Sequence, residues 1–216
     1  MSITIHFFRN RSLERIDYEK LIDYFDSMET CHINYYEDVV EMVYTDPVFD
    51  FPYRFLITKR SQVKSIYNLN VDYFNINLLV EIPILLPSYV TRCVLAFIMD
   101  VCKTFELEIY YEGIKNIEPF DMTGLMMFME KEKMYFIEEH PEQEIFFEDR
   151  EKLTQICQYQ QMMPYLPSKI KDEATINPYI VMNDNDYKEI VYSIHWVAGT
   201  AMVFPPHLDY VHVEED

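Results

Sequence analysis

The sequence predicts an α+β protein: a mixed, mostly antiparallel sheet carrying two strand–helix–strand units, with the helices packed largely on one side. Three observations lead there. Runs of β-branched and aromatic residues of strand length occur near both ends of the chain, as in "SITIHFF" and "YKEIVYSIHWVAG". Two segments of helical period are each flanked by such runs. Between Pro119 and Pro164 the pattern turns helical, and strands then return.

"SITIHFF", residues 2–8, alternates with period two and reads as a strand. Over residues 12–28, Leu13, Ile16, Leu21, Ile22 and Phe25 fall at helical spacings, with Ser12 as the expected N-cap. "CHINYY" and "VVEMVYT" read as a hairpin turning around Glu37–Asp38, and "FPYRFLITK" as the next strand. Ser61 is expected to cap a short helix reaching Tyr67. "FNINLLVEIPI" reads as a buried strand. Pro87 and Ser88 open a helix to about Phe105, and "ELEIYYE" follows after a short link. Asp121 is the expected N-cap of a helix over residues 121–140. "EDREKLTQICQYQQMM" is a further helix, stopped before Pro164. "PYLPSKIKDEATINP" reads as a loop with one helical turn. "YKEIVYSIHWVAG", "TAMVFP" and "LDYVHVE" are the closing strands, expected to join the sheet begun at the N-terminus. There is no internal repeat and no Gly/Ser linker. One compact domain over residues 1–216 is expected, with two lobes meeting near residue 115 as its finer division.

The chain has 216 residues, half of them apolar and 16% aromatic, which is ample for a folded core. Its net charge of −19 opposes direct binding to nucleic acid or an anionic membrane and directs attention to basic protein partners. The charge is uneven. Residues 1–108 hold 10 basic and 16 acidic side chains, and residues 109–216 hold 8 and 21. The longest basic grouping is only Arg9, Arg11 and Arg15. The most apolar region, residues 76–102, is interrupted by Glu81, Pro83, Pro87, Arg92 and Asp100, so no membrane span is expected. "MSITIHFFRNRS" lacks the apolar run and small-residue cleavage site of a signal peptide. Cys31, Cys93, Cys102 and Cys157 form no C-x-x-C pair. Cys93 and Cys102 share one predicted helix about 13 Å apart along its axis, too far for a disulfide. These features point to a reduced, cytoplasmic protein.

Only three glycines occur, Gly113, Gly124 and Gly199, each isolated. Neither a dinucleotide fingerprint, a P-loop nor a G-x-S-x-G elbow can be written without more of them. No cofactor is expected.

The stretch "FIEEHPEQEIFFEDREK", residues 136–152, holds seven carboxylates in seventeen residues. It lacks the D-x-D-x-D-G spacing of a calcium loop. Ile145, Phe146 and Phe147 cannot all face a core if their segment is extended. Aromatic anchors rimmed by acids suit the grip of a basic surface. Glu142, Glu144, Ile145, Phe146, Phe147, Glu148 and Asp149 are therefore the predicted partner-binding residues. The competing reading is a short strand or buried corner.

The expected function is non-enzymatic: an acidic protein of the immunity or inhibitor type, bacterial or phage, that engages a basic partner protein. A homodimer is an alternative arrangement. A second reading is an enzyme with a site assembled around His195, His207 and Asp209. A third is a DNA mimic that presents carboxylates at phosphate-like spacing. On a straight strand His207 and Asp209 would point one way and His212 and Glu214 the other, so no four-ligand metal site forms there, and no metal is predicted. Cys31 and His32 would face opposite sides of their strand and cannot pair. Met122, Met126, Met127, Met129 and Met134 read as core gap-fillers, and Trp196, with Tyr192 and Phe204, as a core anchor.

Overall fold

Two sheets organise the chain in this computed structural model, which describes residues 2–64, 66–143, 145, 148–171, 173–184 and 189–214. The first sheet contains β1 (Ser2–Asn10), β2 (Cys31–Tyr35), β3 (Val39–Thr45), β4 (Pro52–Thr58), β5 (Tyr73–Pro83) and β6 (Glu108–Tyr110) in the order β2-β3-β4-β5-β1-β6. Every neighbouring pair is antiparallel. Helix α1 (Tyr18–Asp26) joins β1 to β2, and α2 (Ser88–Phe105) joins β5 to β6. These are the two strand–helix–strand units. Each links strands that run parallel yet are not neighbours: β1 lies between β5 and β6 in a split β-α-β arrangement.

The second sheet contains β7 (Ile180–Asp184), β8 (Glu189–Val197) and β9 (Tyr210–Glu214). β7 and β8 are antiparallel, whereas β8 and β9 are parallel. Helices α3 (Met122–Glu139), α4 (Arg150–Met162) and α5 (Leu166–Ile170) lie between the sheets in sequence. The fold is thus α+β. The chain divides into two compact units, one of Met1–Leu86 with Val90–Phe136, the other of Pro87–Tyr89 with Ile137–Asp216. The closing strands therefore form their own sheet instead of extending the first.

In the first unit, period-two alternation places Ile3, Ile5 and Phe7 on one buried face of β1. Phe55 of β4 is fully buried on the same face. Its ring lies 4.7 Å from Phe25 of α1 and 6.0 Å from Phe97 of α2, so both helices cover this side of the sheet. Phe8 points the other way, into a smaller cluster with Val63, Leu69 and Ile117.

β5 carries two extra residues opposite β1, because His6 pairs Leu79 while Phe8 pairs Asn75. Within this bulge Asn77 has φ +55, a conformation that asparagine tolerates better than most side chains. The bulge is fixed from three sides. Tyr18 Oη donates to the Ile76 carbonyl at 2.7 Å, Thr58 Oγ1 to that of Asn77 at 3.3 Å, and the Asn77 N–H to Asn75 Oδ1 at 2.6 Å.

Three local expectations change. The first helix begins at Tyr18, not Ser12, because Asp17 accepts the N–H groups of Glu19 and Lys20 at 3.0 and 3.3 Å. Ser12 instead donates through its N–H and hydroxyl to Asn10 Oδ1, closing a turn. Ser61 opens no helix. It accepts from the Val63 N–H and from Asn75 Nδ2, and the helical turn that follows among the described residues is the 3₁₀ segment Ile66–Asn68. "TAMVFP" forms one isolated bridge, Thr175 to Met202, rather than a strand.

Candidate functional site

The predicted partner-binding stretch leads into α4, and local backbone chemistry fixes its end. Asp149 is the N-cap: its carboxylate accepts the N–H groups of Glu151 and Lys152, both at 2.9 Å. Glu148 reaches one turn forward to Lys152 at 2.8 Å and also accepts the Asp149 N–H. Lys152 in turn sits 4.9 Å from the centre of the Tyr192 ring on β8, a cation–π contact. Burial, and then the charge of Glu148, push the Tyr192 phenol up to about 12. Two of the predicted acids thus serve α4 and its packing on the second sheet. Glu142 is exposed and Ile145 half-buried. Glu144, Phe146 and Phe147 lie outside the described residues.

The residues of the alternative, enzymatic reading are each engaged separately. His195 Nε2 faces Glu214 at 3.8 Å, across the parallel β8–β9 pair. His207 has φ +58 and shares a hydrogen bond with Gln155 of α4 at 2.7 Å. Asp209 docks on the backbone of Tyr192. Its N–H donates to the Tyr192 carbonyl, and its Oδ2 accepts the Tyr192 N–H, each at 2.8 Å. Strand geometry begins only at Tyr210, so His207 and Asp209 do not share the regular face that period two implies. His212 hydrogen-bonds Ser193 at 3.1 Å, on the same face as the His195–Glu214 pair.

Among the described residues no group of three or more His, Cys, Asp and Glu side chains could hold a metal ion. None of the four cysteines forms a disulfide. Burial pushes Cys31 up to about 11 and Cys102 up to about 12, so neither supplies a thiolate near neutral pH. Among the described residues no helix is long and apolar enough to cross a membrane.

Among the described residues, the clefts on the first unit include three. One of about 990 Å³ opens over the face of the six-stranded sheet away from α1 and α2, where Arg54 bridges Glu41 at 3.0 Å and Glu81 at 2.7 Å. Lys59 pairs Asp38 on its wall at 2.7 Å. Its lining charges largely neutralise one another. A second, of about 430 Å³, is lined by Arg11, Arg15, Tyr18 and Phe74, and a third, of about 390 Å³, adjoins the end of α2.

Sequence reasoning missed β7, although Ile180, Val181 and Met182 form an apolar run between Pro178 and Asn183. All three are exposed, Val181 at 55%. Tyr210, Val211 and Val213 of β9 are exposed as well, and so is Phe204. Tyr192 and Ile194 anchor the centre of this sheet, whereas Trp196 is half-buried against an exposed Phe204. Of the methionines on α3, Met129 is buried and Met127 and Met134 are exposed. No family model, no curated protein and no solved structure matches the chain.

Proposed function

We propose that the protein is a non-enzymatic binder of a basic protein partner, an inhibitor- or immunity-type role, and that it engages this partner through its second unit. The observation that carries the reading is one of composition and exposure together. Residues 87–89 and 137–216 hold 16 acidic and 5 basic side chains, a net charge of −11, while the larger first unit holds 21 and 13, a net of −8. The same acidic unit exposes Val181, Phe204, Tyr210 and Val213. Large apolar side chains rimmed by one sign of charge combine desolvation energy with electrostatic steering. Glu142, Glu144 and the neighbouring Ile145–Phe147 segment are the proposed rim and anchors at the α4 end.

Affinity capture from native lysate, washed at low and at high salt and read by mass spectrometry, tests this. A single basic protein that leaves at high salt is the expected result. A bait that retains nothing at either salt would sink the proposal. The variant to compare is Glu142→Gln with Glu144→Gln, expected to weaken capture and flatten its salt dependence. Glu148 and Asp149 should be left intact, since their loss disturbs α4 itself.

A further inference from the structure

We infer that β7 is an open strand-addition edge that receives an extended, lysine- or arginine-bearing segment of the partner; this rests on the basic-partner reading above. Backbone parity carries the inference. Tyr192 turns both its N–H and its carbonyl towards the β9 side, where Asp209 satisfies them. Just past the end of β8, the Ala198 N–H donates to the Glu214 carbonyl with the same parity. Val181 lies directly opposite Tyr192, and Asn183 opposite Ile190. In an antiparallel ladder such a pair is not hydrogen-bonded, so Val181 and Asn183 direct their own N–H and C=O groups away from β8. Among the described residues nothing hydrogen-bonds those outward groups.

Sheet edges are usually blunted by lysine, proline or a bulge, because an open apolar edge templates another strand. The apolar part of β7, Ile180–Met182, contains none of these, and the one charge of the strand, Asp184, sits at its end. Its start is held firmly. Tyr179 Oη donates to the Pro206 carbonyl at 2.5 Å, and its ring packs 5.7 Å from Tyr159 and 5.8 Å from Tyr192. A partner strand would therefore meet an edge that is already ordered. Charge selects the occupant. β7 ends at Asp184, opposite Glu189, within a unit of net charge −11, so cationic side chains are attracted and a second copy of this chain is repelled. Main-chain hydrogen bonds supply affinity in this recognition mode, and alternate side chains supply selectivity.

The test uses the full chain and two fluorescent octapeptides of alternating lysine and valine, one of them N-methylated at its four central residues. The peptides have equal charge, but only the unmodified one can pair as a strand. Low-salt anisotropy should show the unmodified peptide binding about tenfold tighter, the equivalent of one or two hydrogen bonds. Val181→Pro and Asn183→Pro each remove an outward N–H and should bring both peptides to the weaker level. Val181→Thr should leave the difference intact, with circular dichroism confirming the fold of each variant. Equal binding of the two peptides to the native chain would overturn the edge while leaving the basic-partner reading standing. No binding of either peptide would overturn both. Light scattering that shows a native dimer, dissociated by Val181→Pro, would overturn the basic occupant in favour of a second copy.

Discussion

The six-stranded sheet and the three-stranded sheet are covered to different extents. In the first, α1 and α2 cover one face, and part of the other lies beneath the Phe8 cluster. At its β6 edge the chain folds back, and Ile109 and Glu118 exchange both backbone hydrogen bonds, at 2.9 and 3.0 Å. In the second sheet only the middle strand carries buried side chains, while β7 and β9 expose apolar ones. The contrast separates two uses of apolar residues. Rings around Phe55 hold a fold together, whereas the apolar side chains of β7 and β9 lie exposed.

Truncating one ring in each region should give the largest difference. Phe55→Ala empties a site shared with Phe7, Phe25, Tyr53 and Phe97. It should lower unfolding free energy by about 3–5 kcal/mol in denaturant titration. Tyr210→Ala, at a side chain 62% exposed, should change it by no more than about 0.5 kcal/mol. Equal losses would mean that the second sheet is as much a core as the first.

Acidification should also act on the first unit. Burial lowers the imidazole of His6 from 6.5 to about 4, with Glu112 opposing the shift, so the folded chain holds it neutral. The unfolded chain takes up the proton first as pH falls. The stabilising contribution is therefore complete above about pH 6.5 and is lost progressively towards pH 4. A shift of this size amounts to on the order of 3 kcal/mol. His6→Gln should remove that part of the pH dependence, as measured by thermal midpoints across the range.

Proline placed at adjacent positions sharpens the assignment of backbone direction in β7. Met182 faces Val191 in a hydrogen-bonded pair, so Met182→Pro deletes a ladder bond and should cost about 1–3 kcal/mol. Val181→Pro deletes none and should cost clearly less. Reversed costs in thermal unfolding would invert the parity and remove the open edge. The smallest expected effect is at α4, where Asp149→Ala removes a cap worth about 1 kcal/mol and Asp149→Asn restores most of it, read from the thermal midpoint.

Most of the first unit is legible in its sequence. The alternation of β1, the apolar run of β5 and the opening of α2 at Ser88 each appear as local pattern, because one-dimensional periodicity records which face is buried. The acidic C-terminal half and the scarcity of glycine are equally plain, and they confine the expected functions without any coordinates. The fine boundaries are less legible. Ser12 and Asp17 are both good caps by type, and the choice fell to Asp17 because Asn10 had already engaged Ser12 in a turn. By contrast, long-range packing alone gives His195, His207 and Asp209 each a different partner and turns the peptide groups of Val181 outward. Those outcomes depend on which strand lies opposite which. Such pairings join residues far apart along the chain, through contacts that no local pattern of side chains records.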